Sequence, residues 1–334
     1  MSQKDMKVSI LGDGGWGTTL ALLLESKGHR VALWGAFPEY VREMARKREN
    51  VKFLPGFKIP ERVRLVSDVR ECLEADVLVL ASPSQYVRSV VRRIKREPVH
   101  RKVFVSVAKG IETRTLKVTS QVVHEELGNV SLCVLSGPTI ARDVALKMPA
   151  AASVAGTSRE LTSRVRALFM TEYFSLYESD DMIGVELGGA VKNVIAISAG
   201  IVQGLGFGSN TRAALFARGV AEMARLGQVM GARRETFMGL SGLGDLATTC
   251  LSPHSRNRRL GEEIGKGKSL KKVQAQTEMV VEGVDTCRSA YKLAKELKVR
   301  MPIVEAVHGI LFKGDDPKRA VKALMQPEPH RELD

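Results

Sequence analysis

Lys192 lies in the middle of a long apolar segment, residues 184–201, and its position suggests chemistry. The segment has the length and apolar character of a buried helix. An ammonium group in such a helix costs free energy unless a partner or a chemical task keeps it there. Helical spacing places Gly188 and Ala196 on the same face, which predicts room for a small ligand beside the amine. A lone lysine on a core helix more commonly extends its amine to solvent, and this alternative stays open.

Lys109 and Asp245 are two further candidates for chemistry. Lys109 directly follows a predicted strand, residues 102–108, and ligands bind at the carboxyl edge of parallel sheets. Asp245 lies in the glycine-rich bend 239–246. It either caps the helix that follows or orients the amine of Lys192.

A glycine-rich turn joins the first predicted strand to the first helix. The strand at residues 7–12 leads into Gly12-Asp-Gly-Gly-Trp-Gly17, and an amphipathic helix covers residues 18–27. Gly12 permits the tight turn, Gly14 lets the backbone approach a pyrophosphate, and Gly17 lets helix and strand pack closely. The helix N-terminus offers free N–H groups to the phosphates. This arrangement predicts a dinucleotide-binding turn.

The end of the second predicted strand, residues 29–35, does not decide which dinucleotide is bound. An NAD site has Asp or Glu near this end, and an NADP site has a basic residue. Here the chain reads Gly35-Ala36-Phe37-Pro38, which gives neither signal. Without an acid, a 2′-phosphate would not be repelled, so the sequence slightly favours NADP.

Two polar segments suit anions. Ser136-Gly137-Pro138-Thr139 follows a predicted strand and precedes a helix, so its hydroxyl and amide groups suit a phosphate or a carbonyl. Ser255-Arg256-Asn257 begins a helix and combines free amides, a guanidinium and a side-chain amide. A solvated basic helix start is the alternative interpretation of the second segment.

The order of predicted elements defines the fold class. Strands and helices alternate to about residue 180, and only helices follow. We therefore predict an α/β protein with an N-terminal Rossmann-type doubly wound sheet, residues 1–182, followed by an all-helical C-terminal domain, residues 183–334. The last residues, 326–334, are expected to fray.

Composition argues against several classes of function. The formal charge of +14 suits nucleic acid, phosphorylated small molecules or a basic surface, but aromatic residues make up only 5% and do not alternate with basic ones. The six histidines form no metal-binding motif, and the four cysteines form no CxxC pair, as expected for reduced thiols in the cytoplasm. No uninterrupted apolar run reaches the length of a membrane span. We predict no metal, no nucleic acid and no membrane span.

The motifs together resemble a known family. Gly-Asp-Gly-Gly-Trp-Gly-Thr, Ser-Gly-Pro-Thr, Gly-Val-Glu-Leu-Gly-Gly-Ala-Val-Lys-Asn-Val-Ile-Ala, Gly-Leu-Gly-Asp-Leu, Ser-Arg-Asn-Arg-Arg and Val-Val-Glu-Gly occur in the chain. In these motifs, from about residue 6 to 325, the chain is similar to bacterial NAD(P)-dependent sn-glycerol-3-phosphate dehydrogenases. The family often has a basic residue or histidine after the second strand, where this chain has Ala36-Phe37.

The resemblance implies an activity and a role for each matched residue. It implies reduction of dihydroxyacetone phosphate to sn-glycerol 3-phosphate with NADPH or NADH, for phospholipid synthesis, by a cytoplasmic homodimer. Lys192 would be the general acid and base, Lys109 would polarise the carbonyl, and Asp245 would hold Lys192. The other implied substrate contacts are Gly137, Thr139, Ser255, Arg256 and Asn257. The implied cofactor contacts are Gly12, Gly14, Gly15, Trp16, Gly17, Lys109, Ala141, Arg256, Val280 and Glu282.

Two alternatives remain at this stage. The first is a dehydrogenase of the 3-hydroxyacid or 6-phosphogluconate type, which would need a carboxylate-binding pattern where this chain has Ser255-Arg256-Asn257. The second is a basic Rossmann-fold protein with a nucleic-acid-binding or regulatory function. In such a protein Lys192 would have no chemical task.

Overall fold

A computed structural model describes residues 6–277 and 279–326, which form two compact units. The first unit takes the chain through Ala108 and again Thr119–Met182, and the second takes Lys109–Val118 and the chain from Ile183 onward. The residues predicted to fray, from 327 onward, lie outside the described residues.

The segment 109–118 belongs to the helical unit, whereas the sequence-based division at residue 182 placed it in the first domain. Ile111 and Val118 are fully buried in the apolar core of the helices. The Ser289 hydroxyl donates a hydrogen bond of 2.9 Å to the Ile111 carbonyl. Burial of these two branched side chains stabilises the segment in the helical unit, although its neighbours in the sequence belong to the first unit.

An eight-stranded sheet forms the centre of the first unit, with strand order β3-β2-β1-β4-β5-β6-β7-β8. The strands are β1 (Lys7–Leu11), β2 (Arg30–Trp34), β3 (Arg64–Val66), β4 (Val77–Leu80), β5 (Val103–Ser106), β6 (Ser131–Ser136), β7 (Ala150–Gly156) and β8 (Phe174–Ser179). Neighbouring strands are parallel except β6 and β7. The carboxyl ends of β1 to β6 therefore lie at one edge.

Helices cover both faces of this sheet, which confirms the predicted fold class. They are α1 (Gly15–Ser26), α2 (Pro38–Lys47), α3 (Val87–Ile94), α4 (Thr119–Leu127), α5 (Ala141–Ala145) and α6 (Arg159–Phe169). Along β4, Val77 and Val79 join one apolar cluster, and Leu78 and Leu80 join another. The first cluster contains the apolar residues of α1 and α6, and the second those of α3 and α4. A strand buried on both faces is typical of a parallel sheet between helices.

Apart from residues 109–118, the elements of the second unit in its described part are helices. Its helices are α7 (Met182–Gly204), α8 (Ser209–Val229), α9 (Asp245–Leu251), α10 (Arg256–Gly265), α11 (Leu270–Gln274), α12 (Glu282–Glu296), α13 (Pro302–Phe312) and α14 (Pro317–Leu324). By length and mean hydropathy, 1.5, α7 could cross a membrane, although no uninterrupted run in the sequence was expected to do so. Its apolar window is completely buried inside the protein, as in a core helix.

Helices α7 and α10 approach each other at backbone distance. Gly200 and Gly204 of α7 face Arg258 and Glu262, and a Cβ atom at either glycine would overlap a carbonyl oxygen of α10. Gly261 in turn lies against the carbonyl of Ile197 on α7. Glycines four residues apart on both helices permit this contact, as in close helix pairs in membranes. The crossing fixes α10 against the C-terminal part of α7.

Glu222 of α8 is a buried carboxylate that caps another helix. It is fully buried and accepts hydrogen bonds from the backbone N–H groups of Ile303, at 2.7 Å, and Val304, at 3.3 Å, in the first turn of α13. Burial raises the pKa of Glu222 to about 7, although the two N–H groups act in the opposite direction. The helix N-terminus is thus held by a carboxyl group that binds its proton near neutral pH.

We expect Gly261→Ala to lower the free energy of unfolding by about 2–3 kcal/mol or more, because the new methyl group would overlap the Ile197 carbonyl. Without that contact, alanine would stabilise a helix interior by about 1 kcal/mol. Gly208→Ala is the control: Gly208 precedes α8, and nothing lies within 4 Å of its Cβ position. Denaturant unfolding measures the free energy of unfolding of both variants. Equal stability of Gly261→Ala and the wild type would contradict the close crossing.

Glu222→Gln should change how stability depends on pH. The folded pKa, about 7, lies above the ordinary value of 4.5, so the wild type loses stability as pH rises between these values, by up to about 3 kcal/mol. Glutamine stays neutral, so the variant should lack this loss. Unfolding at pH 5, 6, 7 and 8 tests it, with the exposed Glu296→Gln as control. A pH dependence shared by wild type and Glu222→Gln would disprove the assignment.

Candidate functional site

Lys192 and Asp245 form a buried ion pair in the helical unit. The Lys192 amine donates to Asp245 Oδ1 at 2.9 Å and to the Thr249 hydroxyl at 2.6 Å. The Thr249 hydroxyl itself donates to the Asp245 carbonyl at 2.7 Å. Of the Lys192 side chain only 8% is exposed, and of Asp245 only 3%. The amine therefore does not extend to solvent, and Asp245 holds it rather than capping α9.

Lys109 binds the other oxygen of the same carboxylate. Its amine lies 2.6 Å from Asp245 Oδ2, and 14% of its side chain is exposed. Two lysines and one carboxylate from three parts of the chain thus form a single cluster, which we call the Lys-Asp-Lys cluster. With both lysines protonated it carries one excess positive charge.

The pKa of Lys192 is lowered from the usual lysine value of 10.5, and burial is the main cause. Lys109 lowers it further by charge repulsion, whereas Asp245 and, more weakly, Glu282 raise it. Burial disfavours the charged amine, so Lys192 releases a proton more readily than an exposed lysine does. A lysine with a lowered pKa suits general acid and base catalysis.

Small residues bring Asp245 close to α7. The bend before α9 is a π-helical turn, Leu240–Gly244, and a Cβ atom at Gly188 would lie 2.6 Å from the Ser241 carbonyl oxygen in that turn. The expectation that Gly188 leaves room for a ligand was therefore wrong at this position. Gly188 instead lets the backbone of the turn pack against α7, which places the carboxylate within reach of Lys192.

The segment Ser255-Arg256-Asn257 begins α10 but is not a uniform anion cradle. The Ser255 hydroxyl caps the helix by accepting from the Arg258 N–H at 3.2 Å. Asn257 is buried and uses its amide within the fold: it donates to Asn193 Oδ1 at 2.8 Å and accepts from the Gly283 N–H at 3.0 Å. Its amide therefore ties α10 to α7 and α12.

Arg256 has a different environment. It is exposed, and its guanidinium donates to the Val280 carbonyl at 2.7 Å. Val280 and Glu282 are partly buried where α12 begins. The Glu282 carboxylate is close enough to Lys192 to raise its pKa. The structure thus brings three predicted cofactor contacts of this unit, Arg256, Val280 and Glu282, to the ends of α10 and α12 that are nearest Lys192. The fourth, Lys109, lies in the Lys-Asp-Lys cluster.

The glycine turn of the first unit has the geometry of a dinucleotide-binding turn. Gly12 has a φ angle of 137° and lies against the Ala81 carbonyl carbon, and a Cβ at Gly17 would overlap the Gly12 carbonyl oxygen. Nothing lies within 4 Å of a Cβ at Gly14, so that position is open for a close ligand. At Gly14 no side chain caps the N-terminus of α1, which leaves its N–H groups to a ligand.

Trp16 and Ala141 lie beside this turn. The Trp16 ring packs edge-on against Phe174, at 6.1 Å between ring centroids, and its indole N–H is enclosed without a partner among the described residues. The Ala141 carbonyl accepts from Thr19 on α1 at 3.0 Å, and its Cβ lies 3.7 Å from a Cβ built at Gly15. The predicted contacts Gly15, Trp16 and Ala141 are therefore neighbours.

Unpaired hydroxyl groups accumulate at the carboxyl edge of the sheet. Buried serine hydroxyls without a hydrogen-bond partner in the described chain follow or end β4, β5 and β6, namely Ser82, Ser106 and Ser136. Gly137 and Thr139 continue from β6, and the Thr139 hydroxyl donates to the Gly137 carbonyl at 3.1 Å. Unpaired buried hydroxyls and an open Gly14 fit a bound dinucleotide. In residues 6–277 and 279–326 no group of His, Cys, Asp and Glu could hold a metal.

Sequence reasoning missed Thr249. It lies one helical turn after Asp245 and contacts both the carboxylate and the Lys192 amine. The spacing of four residues on a helix places both on one face, so the signal was present in the sequence. It also missed the pairing of Asn257 with Asn193, the residue next to Lys192.

The fold and these residues are those of a two-unit, dinucleotide-binding oxidoreductase with a buried lysine in its helical unit. Comparison with known proteins identifies the family. Residues 7–162 match the model of the NAD-dependent glycerol-3-phosphate dehydrogenase N-terminus, and residues 181–322 match that of its C-terminus. The chain belongs to the NAD-dependent glycerol-3-phosphate dehydrogenase family.

Individual relatives agree with the family match. The chain is 49% identical over 323 residues to a glycerol-3-phosphate dehydrogenase [NAD(P)+] of Citrifermentans bemidjiense, which covers 96% of both chains. It is 46% identical over 334 residues to one of Geobacillus kaustophilus, covering 98% of this chain and 96% of that one. The crystal structure of glycerol-3-phosphate dehydrogenase from Coxiella burnetii superposes with a TM-score of 0.94 at 38% identity, over 97% of this chain and all of that one, 100%.

The Lys-Asp-Lys cluster predicts that removing Asp245 or Lys109 shifts the pKa of Lys192 in opposite directions. Asp245→Asn should lower that pKa further, because the attractive charge is lost. Lys109→Met should raise it, because a repelling charge is lost. Side-chain ¹⁵N NMR titration of lysine amines measures both shifts, with the exposed Lys292 as the internal reference. Shifts in the same direction for the two variants would be inconsistent with the cluster.

Proposed function

We propose that this protein interconverts dihydroxyacetone phosphate and sn-glycerol 3-phosphate by hydride transfer with NADH or NADPH. Membership of the glycerol-3-phosphate dehydrogenase family supports the reaction. The observation that carries the mechanism is the buried contact of Lys192 and Lys109 with the two oxygens of Asp245.

Lys192 is the proton donor in the direction of reduction. The nicotinamide, when bound, supplies the hydride. As the carbonyl carbon of the substrate receives it, negative charge develops on the carbonyl oxygen, and Lys192 transfers a proton to that oxygen. In the reverse direction the neutral amine of Lys192 takes the proton from the alcohol. A lowered pKa favours both steps because it brings the two protonation states of Lys192 closer in free energy.

The neighbouring polar groups orient the Lys192 amine and polarise the substrate. Asp245 orients both amines, and Thr249 accepts a further N–H of Lys192, so one proton of the amine remains for the substrate. Lys109 is less buried and polarises the carbonyl. The excess positive charge of the cluster favours an anionic substrate.

Substrate and cofactor contacts follow from the remaining positions. Arg256 and Ser255 at the start of α10 bind the phosphate region, while Asn257 positions α10. Gly137 and Thr139 bind substrate in the first unit. The glycine turn holds the pyrophosphate on the N-terminus of α1. The full set assigned to the cofactor is Gly12, Gly14, Gly15, Trp16, Gly17, Lys109, Ala141, Arg256, Val280 and Glu282.

Location, assembly and partners form a separate part of the proposal. All four cysteines are free thiols, which supports the cytoplasm. A homodimer and a role in supplying glycerol phosphate for phospholipids rest on the family resemblance. Nucleic acid is not among the proposed partners: the buried Lys-Asp-Lys cluster gives the chain a catalytic task that a nucleic-acid-binding protein would not need.

The proposal is tested by the oxidation of NADH and NADPH with dihydroxyacetone phosphate against a panel of keto acids. We expect turnover with the phosphorylated ketone and loss of turnover by about 10³-fold in Lys192→Ala, because the proton donor is gone. Binding of NADH to that variant, followed by tryptophan fluorescence, should persist.

Lys292→Ala is the matched control, since Lys292 is an exposed lysine on α12 of the same unit. It should keep wild-type turnover. Preference for a keto acid would support a dehydrogenase of the hydroxyacid type instead. Normal turnover in Lys192→Ala would remove Lys192 from the mechanism.

A further inference from the structure

The carboxylate of Asp13, the second residue of the glycine turn, lies against Gly35 at the end of β2. A Cβ atom built at Gly35 would overlap Asp13 Oδ2 and would lie 2.8 Å from Asp13 Cγ. The Gly35 backbone is fixed here by its N–H, which donates to the Val66 carbonyl at 3.1 Å. The space that a side chain at position 35 would enter is therefore filled by a carboxylate from the glycine turn.

In dinucleotide-binding folds the end of the second strand helps to select the cofactor. The residue at the end of the second strand lies beside the adenosine ribose, and an acid there accepts a hydrogen bond from the 2′-hydroxyl. In this chain the four residues after β2, Gly35-Ala36-Phe37-Pro38, include no acid, which slightly favoured NADP. The structure brings an acid to the same place from a different strand, so that argument no longer applies.

Asp13 is held in place by the loop after α2. The buried Asn50 side chain donates to the Asp13 carbonyl at 2.7 Å and to the Thr18 hydroxyl at 2.7 Å. Its oxygen accepts from the Tyr40 hydroxyl at 2.6 Å and from the Phe53 N–H at 3.0 Å. All hydrogen-bonding positions of the Asn50 amide are used, which makes the Asp13 backbone rigid.

The carboxylate lacks a partner for one oxygen. Asp13 Oδ2 is enclosed and makes no hydrogen bond with any residue that the structure describes, while the residue as a whole is partly exposed. Burial raises the pKa of Asp13, and its own backbone N–H and Lys52 act against this. An unpaired buried acceptor is costly in a folded protein and often marks a ligand position.

We propose that Asp13 determines cofactor preference: its carboxylate accepts from the ribose 2′-hydroxyl and repels a 2′-phosphate, so the protein prefers NADH to NADPH. This inference rests on the proposed dehydrogenase function, because it concerns the same cofactor. In this proposal the glycine turn, rather than the residues after β2, distinguishes a ribose 2′-hydroxyl from a 2′-phosphate.

The basic residues nearby do not reverse this preference. Lys52 is exposed, with its amine 5.4 Å from the centre of the Phe53 ring and 5.9 Å from that of Tyr40. Arg42 and Arg46 of α2 are also exposed. Solvent and salt screen exposed charges, whereas the partly buried Asp13 carboxylate is screened less.

Dissociation constants of NADH and NADPH, measured without substrate by quenching of the two tryptophans, Trp16 and Trp34, test the proposal. We expect the wild type to bind NADH about tenfold more tightly, equivalent to about 1.4 kcal/mol. Asp13→Asn should narrow this ratio at least about fivefold, mainly by tighter binding of NADPH. Asp13→Ala should act in the same direction.

Glu160→Gln is the matched control, because it removes one exposed negative charge on α6 of the same unit. It should leave the ratio unchanged. Tighter binding of NADPH by the wild type would overturn the proposal without any variant, and so would an unchanged ratio in a folded Asp13→Asn. Failure of the wild type to bind either nucleotide would overturn the proposed function as well.

Discussion

The helical unit depends on the interaction of the desolvated Lys192 amine with Asp245. An ammonium group inside an apolar helix is costly, and Asp245 offsets that cost with a charge and a hydrogen bond at 2.9 Å. Because Lys109 shares the same carboxylate, the cluster is not neutral, and its excess charge suits an anionic substrate. Stability and chemistry thus make opposite demands on the same atoms: full neutralisation would stabilise the fold but would leave the amine less ready to release its proton.

Glycine at specific positions makes this arrangement possible. Gly188 lets the π-helical turn place Asp245 against α7, and the contacts of Gly200 and Gly261 bring α10 to backbone distance from α7. Asn193 and Asn257 then connect the two helices by a buried hydrogen bond of 2.8 Å. The turn that carries Asp245 and helix α10 are therefore both held against α7 by contacts between backbone atoms.

Local patterns in the sequence predicted the sheet and the glycine turn, since each is encoded by periodicity or by residue type. They left the pairing of Lys192 with Asp245 as one of two alternatives, and the family resemblance implied it. What the sequence did not reveal depends on which residues meet in space. Gly188 was interpreted as room for a ligand but accommodates Ser241, and Asn257 was interpreted as an anion ligand but bonds Asn193 and Gly283. The acid near the end of β2 could not be found by examining residues after β2, because Asp13 comes from the turn after β1. Such contacts join residues far apart in the chain.

The segment Lys109–Val118 has a consequence for how the chain can be divided. It leaves the sheet after β5, contributes Lys109, Ile111 and Val118 to the helical unit, and then returns to α4. A fragment starting at residue 183 would therefore lack two core side chains and one of the two amines that bind Asp245, so a single cut cannot separate the halves into self-sufficient pieces. An isolated helical unit would need residues 109–118 in addition to the chain from residue 183 onward.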